Sequence, residues 1–353
     1  MKRFLVRAGF CPEKKYCPRD YITKNFVGGN TGNLFFAYGV MNVLKTADIE
    51  IEQTYKYRWT KEEAAFINEH YSAFILPLAD GFRPDFIEYL DGFTELINTL
   101  SIPVYVIGVG LRAPYEPDFR NSFVFDEAVK QFVKAVLNHS SVVGLRGNIT
   151  GHYLKKLGFR EETDFTPIGC PSLYTYGDGI KIRGGKMPPE NIVFNTSILA
   201  SEKTNKFITD TVVQIPEHYL VQQLQTEFRD MYVGRYTIKK KTVKNIFDKD
   251  FFRELNQQDR LRYFMNVPQW INYMKNFDLF LGSRFHGTVA AVLAGIPHVL
   301  LPLDARMREL TEYHNITCVK PAEIEEGSSL FDFIDRLDFH SFEKVETKIL
   351  NII

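Results

Sequence analysis

The chain has 353 residues, with 43 Lys and Arg against 43 Asp and Glu and no formal net charge. Its length suits about two domains, and a composition of 45% hydrophobic and 24% charged residues excludes the disordered and collagen-like classes. Neutrality excludes a broad basic face for nucleic acid or an anionic membrane, but not a local basic pocket; 14% aromatic residues suit large apolar cores or a carbohydrate-handling surface.

The first nine residues carry a basic flank and only a short apolar run, too little for a secretory signal. No stretch approaches the roughly 20 apolar residues of a membrane span. Cys11, Cys17, Cys170 and Cys318 are too scattered for a disulfide scaffold, and the first two are not spaced as a redox pair or zinc knuckle. A cytoplasmic protein without a metal site is expected, its sequons at Asn148, Asn195 and Asn315 unused.

In chain order, Gly28-Gly29-Asn30-Thr31-Gly32-Asn33 leads into an apolar run over 34–44. Such a loop brings N–H groups to an anion at a helix N-terminus, or serves as a capped tight turn. It is neither GxGxxG nor a Walker A loop. Thr60 and Glu63 form a capping box that starts a helix over 61–70, followed by a strand at 74–78 and a helix over 84–100. The unbroken apolar run 103–110 reads as a strand buried on both faces. A helix over 126–138, a strand at 142–145 and a helix over 150–157 ended by Gly158 complete the first half.

Gly- and Pro-rich residues 177–190 read as a linker, which places an N-terminal domain at 1–180 and a C-terminal domain at 190–353. Strands are expected at 191–196 and 231–236, and a helix over 268–276. The sharpest unit is a strand at 278–282, a helix over 286–294 and a strand at 298–303. The tail, 330–353, reads as a helix that packs back across the domain boundary. Alternating strands and helices without a 20–50-residue repeat predict two Rossmann-like α/β domains, with parallel sheets facing a cleft.

Three strand-to-helix joints carry the chemistry, because open α/β sheets bind ligands at the carboxyl ends of their strands. At Gly282-Ser283-Arg284-Phe285-His286-Gly287, Arg284 suits a carboxylate or phosphate, and His286 at the helix start suits proton exchange near neutral pH. Gly287 keeps the approach open, with Ser283 beside it. At Gly144-Leu145-Arg146-Gly147, Arg146 offers a second cation; two arginines facing one cleft suit a small, densely anionic substrate. Gly108-Val109-Gly110-Leu111-Arg112 either lines the same site through Gly110 and Arg112 or forms a turn. Asp304 is expected to cap a helix over 306–313, Cys170 to pack inside, and His298 and His314 to be structural.

The Gly-Ser-Arg-Phe-His-Gly element at 282–287, followed by Ala290 to Pro297, resembles the C-terminal signature of the polysaccharide pyruvyl transferases. Arg146-Gly147 with Thr150, Leu154 and Leu157-Gly158 is similar to a second stretch of that family, Asn30 to Asn33 to its Asn-x-Gly-Asp loop, and Gly169-Cys170-Pro171 to its Gly-Asp-Pro segment. The resemblance implies a fold like that of the two-domain B-type glycosyltransferases (GT-B-like). It also implies transfer of pyruvate from phosphoenolpyruvate to a sugar or lipid-linked glycan as a ketal, with no other cofactor. Carried over by motif, Arg284 and His286 engage phosphoenolpyruvate, Arg146 is a second anion clamp, and Asn30, Thr31, Gly32, Asn33, Gly110, Arg112, Ser283 and Gly287 line the substrate. Asn33 and Cys170 stand where the family has Asp, so any base those carboxylates supplied is lost here. The alternatives are a nucleotide-sugar glycosyltransferase, disfavoured because 286–294 holds no Asp or Glu, and a glycan-binding relative without activity.

Overall fold

A computed structural model of the chain describes residues 1–24, 27–177, 179–234 and 249–344. It divides into two units, one comprising Met1–Cys11, Phe36–Thr175 and Asp304–Tyr313, the other Pro12–Phe35, Tyr176–Leu303 and His314–Ile353. One passage between units, at Thr175 and Tyr176, falls just before the linker-like composition. Two segments depart from a single cut: 12–35 belongs with the later residues, and 304–313 with the earlier ones.

In unit one, strands β1 (Lys2–Arg7), β2 (Ile49–Thr54), β3 (Ala73–Pro77) and β4 (Val104–Ile107) form a parallel sheet in the order β2-β1-β3-β4. β5 (Val143–Leu145) and β6 (Phe165–Pro167) pair in parallel. They continue the sheet, since Gly108 N–H donates to Gly144 O at 2.9 Å and Arg146 N–H to Val109 O at 3.0 Å. β3 is buried along its whole length, as its apolar run requires when helices cover both faces. Helices Lys61–His70, Ile87–Ile97 and Asp126–Leu137 supply Ile67, Leu90, Phe93, Phe132 and Val136 to one core. The first begins at the expected capping box, in which Glu63 N–H donates to Thr60 Oγ1 at 3.3 Å and Thr60 N–H to Glu63 Oε2 at 3.0 Å.

In unit two, β7 (Asn191–Asn195), β8 (Glu217–Gln222), β9 (Leu261–Tyr263), β10 (Leu279–Gly282) and β11 (His298–Leu300) form a parallel sheet in the order β11-β10-β7-β8-β9. From β7 the chain steps outward through β8 and β9, then returns to place β10 on the other side of β7. The β7/β10 boundary is therefore the topological switch point, where open sheets leave a crevice beyond the carboxyl ends of their strands. The helix Phe285–Ala294 is buried along most of its length and ends at Gly295, whose φ of 70° is the left-handed C-terminal stop. The fold class is thus α/β, with two Rossmann-like units of parallel strands.

Two expected elements differ. Met231 and Tyr232 close a helix, Gln225–Tyr232, rather than opening a strand; Val233 and Gly234 form a turn, and 235–236 lie outside the described residues. The tail over 330–344 is a series of short 3-10 turns rather than one helix, and 345–353 lie outside the described residues. These turns stay with unit two: Leu330 and Phe333 enter its core, and Thr317 Oγ1 donates to Asp338 O at 2.7 Å. Among the described residues no helix is long and apolar enough to cross a membrane.

Candidate functional site

Unit two gathers the residues expected at the strand-to-helix joint around the switch point. Arg284 caps the helix Phe285–Ala294 in an extended conformation, φ −126° and ψ 124°. Asn195, at the end of β7, holds its backbone: Oδ1 accepts from Arg284 N–H at 3.1 Å and Nδ2 donates to Arg284 O at 3.4 Å. Gly287 lies against the same amide, since a Cβ there would come within 2.0 Å of Asn195 Nδ2. Ser283, 1% exposed, completes the turn.

The Arg284 side chain differs from an open anion clamp. Its Nε donates to Thr196 O, and its two Nη groups grip Glu227 in a fork, with Nη1 to Oε2 at 3.1 Å and Nη2 to Oε1. Glu227 stands in the first turn of the helix Gln225–Tyr232 and also accepts from Gln223 N–H at 2.9 Å and Leu224 N–H at 2.8 Å. A bidentate carboxylate and a carbonyl match this guanidinium in both charge and geometry. Glu227 was not foreseen: a Glu in a polar helical stretch carries no local sign of a partner 57 positions away.

His286, in the first turn of the same helix, is 5% exposed and stacks near-parallel on Phe35, with ring centroids 6.5 Å apart and planes at 9°. Its ring abuts Gly32, the first residue of the helix Gly32–Leu44, where a Cβ would lie 2.5 Å from His286 Nδ1. The glycine loop is built around that approach. Asn30 Oδ1 accepts from Gly32 N–H at 2.8 Å, Asn33 Nδ2 donates to Val27 O at 2.8 Å, and Thr31 N–H donates to Gln223 O at 2.9 Å. Both Asn side chains therefore serve the turn, while Gly32 makes room for the imidazole. Gly32→Ala is expected to cost about 1–3 kcal/mol by overpacking; an unchanged unfolding midpoint would show that the ring yields freely.

Unit one holds a second constellation, at the carboxyl ends of β3, β4 and β5. Arg146, immediately after β5, is fully buried. Its Nε donates to Gly108 O at 3.1 Å and its guanidinium carbon lies 4.8 Å from the centre of the Phe36 ring. Neither Nη has a hydrogen-bond partner among the described residues. Gly110 packs on its stem, a Cβ there falling 3.0 Å from Arg146 Cδ. Burial pulls the Arg146 pKa below its ordinary value, as does nearby Arg306, against Cys170, Asp80 and Glu309.

Arg306 is the second cation of this constellation. It lies on the helix Ala305–His314, whose start Asp304 caps by accepting from Met307 N–H at 2.8 Å. Its Nη2 donates to Asp304 Oδ2 at 3.2 Å, while its Nε has no partner among the described residues. Asp80, beyond β3, accepts an ion pair from Arg83 at 2.9 Å. Burial opposes its ionisation, but Arg306, Arg83, Arg146 and the exposed Arg112 together hold its pKa below the carboxylate range. Cationic groups thus outnumber the carboxylates bonded to them. Cys170, buried as expected, belongs to the same surroundings.

Glu309, on the same helix as Arg306, is 2% exposed, and burial raises its pKa from 4.5 to about 7 against hydrogen bonds from Thr150 and the charges of Arg146 and Arg306. Between about 4.5 and 7 the folded chain keeps a proton that the unfolded chain has released, so this contribution to stability falls as pH rises. His298, buried in β11, is pushed down by burial from 6.5 to about 4, so its contribution is lost as pH falls through that window. Over the shared interval the two slopes oppose. Relative to wild type, denaturant unfolding of Glu309→Gln should lose more stability on acidification from pH 6.5 to 4.5, and His298→Leu less. Parallel curves for all three proteins would contradict both assignments.

These geometries define a protein of two Rossmann-like α/β units, with arginines gathered where strands end. The model of the family described as polysaccharide pyruvyl transferase matches residues 30–304, and the chain belongs to that family of transferases. No curated protein matches it. Among solved structures, the UDP-GlcNAc 2-epimerase of Neisseria meningitidis, bound to UDP-GlcNAc, is 10% identical with a TM-score of 0.48, over 98% of this chain and 94% of that one. The UDP-GlcNAc 2-epimerase of Methanocaldococcus jannaschii, in complex with UDP-GlcNAc and UDP, is 12% identical with a TM-score of 0.46, over 100% and 99%. HepE of Anabaena in complex with UDP is 13% identical with a TM-score of 0.47, over 99% and 94%.

Proposed function

We propose that the chain transfers a pyruvyl group from phosphoenolpyruvate to a sugar of a polysaccharide or lipid-linked glycan, forming a ketal. A proton adds to the methylene carbon of the enol, a sugar hydroxyl bonds to C2 with loss of its proton, phosphate leaves from C2, and a second hydroxyl closes the ketal with loss of its proton. One proton goes onto carbon and two come off the acceptor, the balance leaving with phosphate. The observation that carries this reading is Arg146, a buried guanidinium with both Nη groups lacking partners among the described residues, in a chain of this family. Such a cation suits the phosphate or carboxylate of the donor.

In this proposal Arg146 and Arg306 hold the donor's negative charge, with Arg112 at the exposed side. His286 is the acid or base. Arg284, engaged by Glu227 and Thr196, positions the turn that carries His286 and is not the principal anion ligand. The test is phosphate release from phosphoenolpyruvate over a panel of sugar and lipid-linked diol acceptors. Wild type is expected to release phosphate with at least one acceptor, and His286→Asn to be slower by about 10²–10⁴-fold. Full activity of His286→Asn would remove His286 from the chemistry, and no release with any acceptor would remove the activity.

A further inference from the structure

We infer that Glu309 is a positioning residue for Arg146, acting through Thr150 as a latch on the two loops beside the Arg146 side chain; the inference rests on the donor-binding role proposed for Arg146. The helix Asn148–Lys156 begins directly after Arg146-Gly147, and Gly147, at its N-cap, has no side chain to satisfy the first-turn N–H groups. Glu309 supplies that acceptor from another helix. Its Oε2 accepts from Thr150 N–H at 2.8 Å and its Oε1 from Thr150 Oγ1 at 2.8 Å. The hydroxyl, having donated its proton, accepts from Leu111 N–H at 2.9 Å. One threonine thus ties the loop after β5, which carries Arg146, to the loop after β4, whose Gly110 packs on the Arg146 stem.

Every member of this chain of bonds is buried: Thr150 and Leu111 fully, Glu309 to within 2%. Above about pH 7, where Glu309 is ionised, it offers an acceptor at each oxygen for both Thr150 donors, whereas an amide offers one at a single oxygen. Backbone space is fitted to it as well, since a Cβ on Gly147 would fall 2.9 Å from Glu309 Cβ. The helix bearing Glu309 is anchored independently, by Ala305 N–H to Ala113 O at 3.2 Å and Tyr313 Oη to Pro167 O at 3.0 Å. A fixed carboxylate at one end and a guanidinium held by a single backbone carbonyl at the other make Thr150 and Glu309 the groups that set where the Arg146 Nη atoms stand. Glu309 and Arg306 share one helix, so both arginines of this constellation are placed from the same support.

Phosphoenolpyruvate affinity measured by calorimetry on the full chain tests the latch in wild type, Thr150→Ser, Thr150→Val, Glu309→Gln and the Thr150→Val/Glu309→Gln double variant. Thr150→Ser, which keeps the hydroxyl, should bind within about twofold of wild type. Thr150→Val and Glu309→Gln should each weaken binding by about tenfold, the order expected when a buried donor loses its partner. The double variant should be no weaker than the weaker single one, because one chain of bonds has been cut twice. A lower unfolding midpoint in Thr150→Val with unchanged affinity would make the pair merely structural and overturn the inference. If wild type binds no phosphoenolpyruvate, the proposed function fails, and the latch is read from hydrogen exchange at the Arg146 Nε–H, which bonds Gly108 O. Faster exchange in Thr150→Val but not in Thr150→Ser upholds the latch, and unchanged exchange in both overturns it.

Discussion

Arg146→Met is expected to weaken phosphoenolpyruvate binding by at least about thirtyfold, while leaving the unfolding midpoint unchanged or raised. Truncating a buried charged partner typically costs 2–5 kcal/mol of binding, and thirtyfold is about the lower end of that range. The stability half of the prediction follows from solvation. Arg146 is fully buried, and its one hydrogen bond to protein, from Nε to Gly108 O, leaves both Nη groups without partners among the described residues. Burying a cation without full compensation is unfavourable, and an apolar side chain of similar length is neutral or stabilising in such positions. Methionine keeps the packing on Phe36 and Gly110. A residue retained at a cost to folding is one whose use lies elsewhere. A fall in stability of several kcal/mol, with affinity intact, would instead make Arg146 a structural partner of Asp80.

Glu227→Ala is expected to behave in the opposite way, lowering the stability of the chain by about 3–5 kcal/mol, the range for breaking a buried pair by removing one partner. The Arg284 side chain is 10% exposed and that of Glu227 19%. Removing the carboxylate leaves the guanidinium with Thr196 O alone, and also orphans Gln223 and Leu224 N–H. Glu227→Ala with Arg284→Met should recover part of the loss, since the stranded charge is gone; urea unfolding of the four proteins in the cycle measures it. Additive losses would show that the two side chains do not act as a pair. Arg146 and Arg284 are thus distinct in kind, one short of partners and one fully engaged.

Local signals were legible to the extent that their causes are local. The capping box of Thr60 and Glu63, the cap at Asp304 and the apolar runs of β3 and β10 each reflect interactions within a few residues. β1 passed for a failed signal because its Lys-Arg flank and short apolar core become a strand only by pairing with β2 and β3, more than 40 residues away. Tyr232 and Val233 favour strands, yet Met231 and Tyr232 close a helix whose start is fixed by Glu227 accepting from Leu224 N–H.

At the candidate sites the residue types were legible and their pairings were not. Arg284 and His286 announced themselves by position, at a strand end and a helix start. That Glu227 grips Arg284, and that Gly32 is shaped to the His286 ring, are contacts between distant segments without periodicity. The helix over 306–313 was expected, but proximity along the chain assigned it to the C-terminal half. It belongs to unit one, and with it come Arg306 and Glu309. Within unit one, Arg146 has Arg306 as a neighbouring cation, which the sequence did not point to.

The most direct test of the proposed activity follows phosphoenolpyruvate labelled with ¹³C at C2, incubated with the full chain and an acceptor that supports phosphate release. Ketal formation converts C2 from an enol carbon to a saturated carbon bearing two oxygens, which carbon NMR resolves without separation. The proposal predicts one ketal for each phosphate released, with both signals lost together in Arg146→Met. Phosphate released alongside free pyruvate, with no ketal carbon, would contradict it.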